Sequence, residues 1–227
     1  AGKALASYLI RESLRSSHVA LVEHLAGGDE AKRIFEFKTK KHKTRLTIRK
    51  IEGFRNIMPD TGPFDTGLFP KWLVNEGDYH QACEVEIKTY SKILELAQKL
   101  SGNREIGKVK HLLEQHKKHR LVLAFDSTVI TLDYLKSLFP TLQKDVDVYV
   151  VTGYESEAVK DKVLEMCSLG SNAKGIILCS DKMNEGVNLQ QASSVTLLDM
   201  PSVLRIAEQR IGRIDRMDSP HDEIEAW

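Results

Sequence analysis

Near the end of this chain, Glu208-Gln209-Arg210-Ile211-Gly212-Arg213-Ile214-Asp215-Arg216 sets three arginines at intervals of three. On a helix that spacing projects guanidiniums from one side, where their planar forks can grip phosphate oxygens. A solvated basic face would account for the arginines, but less easily for the glutamine and glycine in register between them. Arg210, Arg213 and Arg216 stay charged at any working pH, and such a fork can stabilise charge spread over a transferring phosphoryl group. Arginine in that role is worth about 10³ to 10⁵ in rate, which is roughly 4 to 7 kcal/mol of barrier.

These arginines need a frame, and the residues before them supply one. Short aliphatic runs at 120–125, 146–151, 174–179 and 195–198 read as strands. Between them lie amphipathic helices at 128–138, stopped by Pro140, and at 155–167; Pro201 and Ser202 start and cap a last helix. This alternation predicts an α/β fold, a parallel sheet with right-handed crossovers and helices on both faces. Ligands of such open sheets sit outside the carboxyl ends of the strands.

Four segments fall on that rim. Phe125-Asp126-Ser127-Thr128 offers a hydroxyl and the free amides of a helix start to a phosphate oxygen, although Ser127 could equally cap the helix. Thr152-Gly153-Tyr154 has a glycine that lets a backbone amide approach a ligand, which is also ordinary turn chemistry. The stretch 180–190 opens with Ser180 and is polar for a link inside an α/β domain; Gly186 and Asn188 break any simple helix there. The arginine block is the fourth.

The first 102 residues have another character. Apolar positions at helical spacing run through 3–26 (Leu5, Leu9, Leu14, Val19, Val22, Leu25) up to Gly27-Gly28. The stretch 38–50 is basic around Lys40-Lys41-His42-Lys43, a solvated face or a nucleic-acid contact. Residues 53–77 are rich in Gly, Pro, Asp and Phe and read as an irregular connection; helical periodicity returns over 81–100 and 105–117. Of 227 residues 41% are hydrophobic, and 33 Lys and Arg stand against 32 Asp and Glu, so nucleic-acid affinity would have to come from local clustering. Cys83, Cys167 and Cys179 are far apart, without metal spacing, and read as free thiols in a reducing compartment. No apolar run approaches a membrane span. A chain that opens on Ala1 and ends on Trp227, in no recognisable element, is expected to be part of a longer protein. It also has no G-x-x-x-x-G-K-[ST] loop and no acidic pair after a hydrophobic strand, so it should not cradle a nucleoside triphosphate and its magnesium unaided.

Taken together, residues 121–127, 150–154, 176–189 and 208–216 resemble motifs IV, IVa, V and VI of superfamily 2 helicases and translocases. The resemblance is to Swi/Snf-type members, especially the bacterial remodellers associated with RNA polymerase. It covers 103–218, with 1–102 a helical extension or protrusion and 219–227 a tail. It implies a RecA-like three-layer lobe, the C-terminal motor lobe of an ATP-dependent nucleic-acid translocase. The N-terminal RecA-like lobe of the same protein would be its partner, and would hold most of the ATP and Mg. By the same resemblance Arg213 and Arg216 are arginine fingers supported by Gln209 and Arg210, and Gly186 and Asn188 lie near the nucleotide. Ser127, Gly153 and Ser180 would contact nucleic-acid phosphates, DNA rather than RNA, in a bacterial cytosol or nucleoid. The chain departs from the pattern at Met183-Asn184 and Ser180-Asp181, and at Asp126, whose carboxylate would repel a phosphate. The alternative is a degenerate, non-catalytic lobe that holds nucleic acid or a partner.

Overall fold

The computed structural model describes residues 2–38, 45–59, 67, 69–184 and 189–227. The chain begins with helices α1 (Gly2–Ser16), α2 (His18–Ala26), α3 (Gly28–Phe35), α4 (Thr47–Arg55), α5 (Lys71–Val74), α6 (Glu76–Gln98) and α7 (Asn103–Lys118). Strand and helix then alternate: β1 (Leu121–Phe125), α8 (Val129–Leu142), β2 (Val148–Val151), α9 (Glu157–Cys167), β3 (Gly175–Cys179), β4 (Ser194–Leu197), α10 (Leu204–Ile211) and β5 (Glu225–Ala226). The sheet is parallel throughout, in the order β2-β3-β1-β4-β5. No helix among the described residues is long and apolar enough to cross a membrane.

Alternation along the strands explains the layers. Leu121, Leu123 and Phe125 of β1 face one way, into a core with Ile177, Cys179 and Val195 of the neighbouring strands and Val163, Met166 and Cys167 of α9. Val122 and Ala124 face the other way, with Ile176, Leu178, Val109 and Leu112 of α7, and Leu132, Leu135 and Phe139 of α8. This is the three-layer α/β lobe expected. α8 has a second apolar side, where Ile130 and Tyr134 join a third core with Val19, Leu21, Val22 and Leu25 of α2, Phe37 and Ala97. The helical N-terminal portion thus shares a core with the lobe.

Several expectations need correction. The periodicity over 3–26 hides a break at Ser17, which is extended (φ −163°, ψ 162°) and whose hydroxyl caps α2 by accepting from the Ala20 amide. Pro140 does not stop α8, which runs on to Leu142. The missing N–H of Pro140 forgoes one helical bond, and Phe139, buried in the core, anchors that turn. Residues 53–77 are less irregular than their composition suggests, since α4 reaches Arg55 and α6 starts at Glu76 behind an Asn75 cap. The Lys40–Lys43 cluster lies outside the described residues. Finally, the tail does close an element: β5 adds to the β4 edge, Leu197 N donates to Trp227 O, and Trp227 N to Val195 O. A two-residue strand carries no periodicity by which to see it.

At the start of β3 the backbone leaves little room for a side chain. A Cβ on Gly175 would lie 2.9 Å from the Asp147 carbonyl oxygen, the acceptor of the Ile176 amide, and 3.2 Å from Met166 Cε. Gly175→Ala should therefore destabilise the fold by about 1–3 kcal/mol, read as a lower urea midpoint in equilibrium unfolding.

Candidate site at the carboxyl ends of the strands

The parallel register brings the ends of β1, β3 and β4 level, with Phe125 opposite both Cys179 and Leu197. Backbone bonds carry the ladder one residue further, from Asp126 N to Cys179 O, Leu198 N to Phe125 O and Ser180 N to Val151 O. Three carboxylates therefore emerge side by side: Asp126 after β1, Asp181 after β3 and Asp199 after β4. A short 3-10 turn, Asp181–Asn184, starts the polar loop after β3.

Into this cluster α10 sends Arg210, which is fully buried. Its Nε and Nη2 fork onto the two Asp181 oxygens at 2.7 and 3.0 Å, and Nη1 donates to Asp199 Oδ1 at 2.8 Å. The guanidinium carbon lies 5.9 Å from the centre of the Phe125 ring. Burial works against the Arg210 charge, but the bonds to Asp181 and Asp199 outweigh it and hold the pKa above the usual arginine value. The other Asp199 oxygen accepts from both the amide and the hydroxyl of Ser127. One guanidinium thus ties together the loops after β1, β3 and β4.

This changes the reading of the arginine block. α10 stops at Ile211 and Gly212 is its cap, where the Gly212 amide donates to Glu208 O. The three arginines therefore do not share one helical face. Arg210 points inward, with its fork on Asp181 and Asp199. Arg213 is half-buried and Arg216 exposed; neither has a carboxylate within ion-pair distance among the described residues. Gln209 is exposed.

Asp126 is the second buried centre. Ser16 Oγ donates to its Oδ1 at 2.6 Å and the Thr128 amide at 2.9 Å, while Lys108 Nζ lies 3.8 Å from Oδ2. Thr128 is the N-cap of α8 and no side chain caps the helix, so Ser127 does not take that task; Asp126 instead accepts from the Thr128 amide just before it. Burial first, and the nearby Asp199 charge second, push the Asp126 pKa up to about 7. Ser16 and Ser17 also bond Thr131, and Lys108 donates to the Ser16 carbonyl. Next to them His18 Nδ1 sits 3.0 Å from Glu105 Oε2. Burial would raise the Glu105 pKa, but the His18 bond and charge prevail and set it at about 2. Nothing in the sequence pairs Ser16 with Asp126, 110 positions apart.

Two of the three expected phosphate contacts, Ser127 and Ser180, line one cavity of about 290 Å³, and Gly153 does not. Ser127, Ser180, Tyr154 and Lys182 line it from the lobe, and Glu12 and Arg45 from the helical side. The Ser127 hydroxyl is spent on Asp199. Ser180 is buried, with a hydroxyl that has no hydrogen-bond partner among the described residues. Gly153 has φ +89°, and its amide donates to Glu155. Ser202 is no helix cap: Val203 holds that place, and the Ser202 hydroxyl bonds Tyr8 and Arg15 instead. Gly186 and Asn188 lie outside the described residues. Asp199 and Glu155 escaped the sequence reading; an acid one residue beyond an apolar strand was the only available signal for the former.

Residues 104–218 match the family described as helicase conserved C-terminal domain. A 47-residue stretch is 45% identical to the RNA polymerase-associated protein RapA of Klebsiella pneumoniae (strain 342); it makes up 21% of this chain and 5% of that protein. Among solved structures, domain 2 of the DEAD-box helicase Mss116p bound to an RNA duplex is similar at a TM-score of 0.45 and 21% identity, over 55% of this chain and 49% of that one. The C-terminal part of the Fun30 ATPase domain is similar at 0.45 and 16% identity, over 80% and 59%.

Two outcomes follow from the buried charges. Arg210→Ala strands two carboxylates at the rim and should cost about 3–5 kcal/mol in denaturant unfolding. Asp126 binds its proton more tightly folded than unfolded, where a carboxyl titrates near 4, so its contribution to stability is lost as pH rises from about 4 through about 7. The stability of Asp126→Asn relative to the parent should therefore increase between pH 5 and 8 in urea titrations.

Proposed function

The chain belongs to the helicase conserved C-terminal domain family through residues 104–218, and on that premise we propose that it is the second motor lobe of an ATP-driven nucleic-acid translocase. The observation that carries this reading is the contrast among its arginines. Arg210 is neutralised and buried, whereas Arg213 and Arg216, just past the end of α10, keep charges that no described carboxylate answers. Cations without a carboxylate partner among the described residues fit the polyphosphate of ATP, whose magnesium would sit mainly on the first lobe.

In this mechanism the first RecA-like lobe closes onto the rim, and Arg213 and Arg216 reach the γ-phosphate across the cleft. Arg210 acts from beneath, holding the end of α10 against Asp181 and Asp199 so that the fingers do not have to be ordered at the moment of reaction. Gln209, Gly186 and Asn188 complete the nucleotide side. On the other side Ser127, Gly153 and Ser180 grip strand phosphates, and lobe closure shifts that grip along the strand. That the Ser180 hydroxyl has no partner among the described residues supports a ligand at this place. DNA is the proposed strand, on the likeness to a protein associated with RNA polymerase; the proposed compartment is the bacterial cytosol or nucleoid.

The chain alone should turn over no ATP. Joined to its own first lobe it should show nucleic-acid-stimulated hydrolysis, and Arg213→Ala should lower kcat by about 10³ or more while DNA affinity changes little. Hydrolysis that survives in that variant would remove the finger role from Arg213.

A further inference from the structure

One side of α1 is polar, with Tyr8, Glu12, Arg15 and Ser16 at i, i+4, i+7 and i+8. That side lies along the rim. Ser16 bonds Asp126 after β1, and Tyr8 and Arg15 both reach the Ser202 hydroxyl after β4, at 2.8 and 3.0 Å. Between these ends Glu12 lines the cavity of Ser127, Ser180 and Lys182. It also lines a second, smaller cavity with Asp181, Asp199 and Arg210. α1 therefore crosses the loops after β1, β3 and β4, the side of a parallel sheet on which ligands bind.

The two ends of α1 are held very differently. Ser16 is fully buried; its hydroxyl also bonds Thr131, and its carbonyl accepts from Lys108. Toward the other end Leu5 and Tyr8 are exposed, and both bonds to Ser202 are open to water. Ile10 and Leu14 rest partly buried against the third core. Ser17, extended between α1 and α2, interrupts the helix and gives α1 a pivot of its own. A segment with few buried apolar contacts and solvent-open bonds belongs to the least stable part of a fold.

Resting on the nucleic-acid reading above, we infer that α1 is a strap across the rim. Closed, it keeps a strand out of the cavity at Ser127 and Ser180, both by its bulk and by the Glu12 carboxylate, which repels a phosphate. It opens by swinging about Ser16–Ser17 when its bonds to Ser202 break. The free lobe is thereby held at low affinity, because only the open fraction can receive a strand.

Ser202→Ala removes both bonds through one exposed hydroxyl and leaves α1 and the Ser127–Ser180 cavity unaltered. Its affinity for short fluorescein-labelled DNA, read by anisotropy at fixed salt, should rise about three- to tenfold with the open fraction. A helix of 15 residues is marginal once off its support. Hydrogen exchange of the α1 amides should therefore quicken in the variant, and in the parent as DNA is added. A helix that merely props the fold could not improve binding when loosened. Ser202→Ala that frees α1 yet binds DNA no better than the parent thus overturns the inference. DNA that binds the parent and leaves α1 exchange unchanged does so too; the nucleic-acid reading survives both results. DNA bound by neither protein removes the strap and that reading together. Should α1 exchange in Ser202→Ala stay at the parent's rate, Tyr8→Phe with Arg15→Ala takes the same bonds from the other side and decides on the same two readouts.

Discussion

A guanidinium taken out of water is tolerable only when its donors are met, and Arg210 sits fully buried at the end of a parallel sheet. The fork takes both oxygens of Asp181, the remaining nitrogen takes Asp199, and Asp199 in turn takes Ser127. These residues come from three loops and one helix, so meeting one cation settles where all four segments lie. The rest of the rim follows from that requirement. With Arg210 consumed inward and α10 capped at Gly212, Arg213 and Arg216 are left outside the tie, with no carboxylate partner among the described residues.

A second constraint joins the first from the other side of β1. Asp126 is buried between Ser16, the Thr128 amide and Lys108, close enough to Asp199 to feel its charge. The α1–α2 junction is thereby bound to the rim itself, and the His18–Glu105 pair secures it to α7. α8 serves both halves of the molecule, with Leu135 toward the sheet and Tyr134 toward α2. The helices before residue 103 accordingly form one wall of the cavity in which Ser180 and Tyr154 lie. A carboxylate at position 126 would be a liability facing a phosphate; buried here, it serves the fold.

How much of this was legible depended on range. Strands β1 to β4 showed as aliphatic runs and α6, α7 and α9 as periodic ones, because burial on one face or both leaves its mark locally. Ends were less secure. Ser17, Pro140 and Ser202 each carry a strong local signal, yet tertiary packing decided whether that signal was used: Ser17 caps α2, Pro140 fails to stop α8, and Ser202 turns away to Tyr8 and Arg15. The β5 strand could not be seen at all, since two residues have no period and only the open β4 edge gives them a role.

The sequence by itself determined the alternation of strand and helix, and with it which loops would share one rim. It also determined that three arginines would arrive there, since both follow from residue type and chain order. Only the tertiary structure decided which arginine is buried, which acids hold it, and that Glu155 takes the Thr152 and Gly153 amides. Spacing along a chain does not say which side chain finds its partner across space. That partner separates a guanidinium tied into the fold from one left to meet a phosphate.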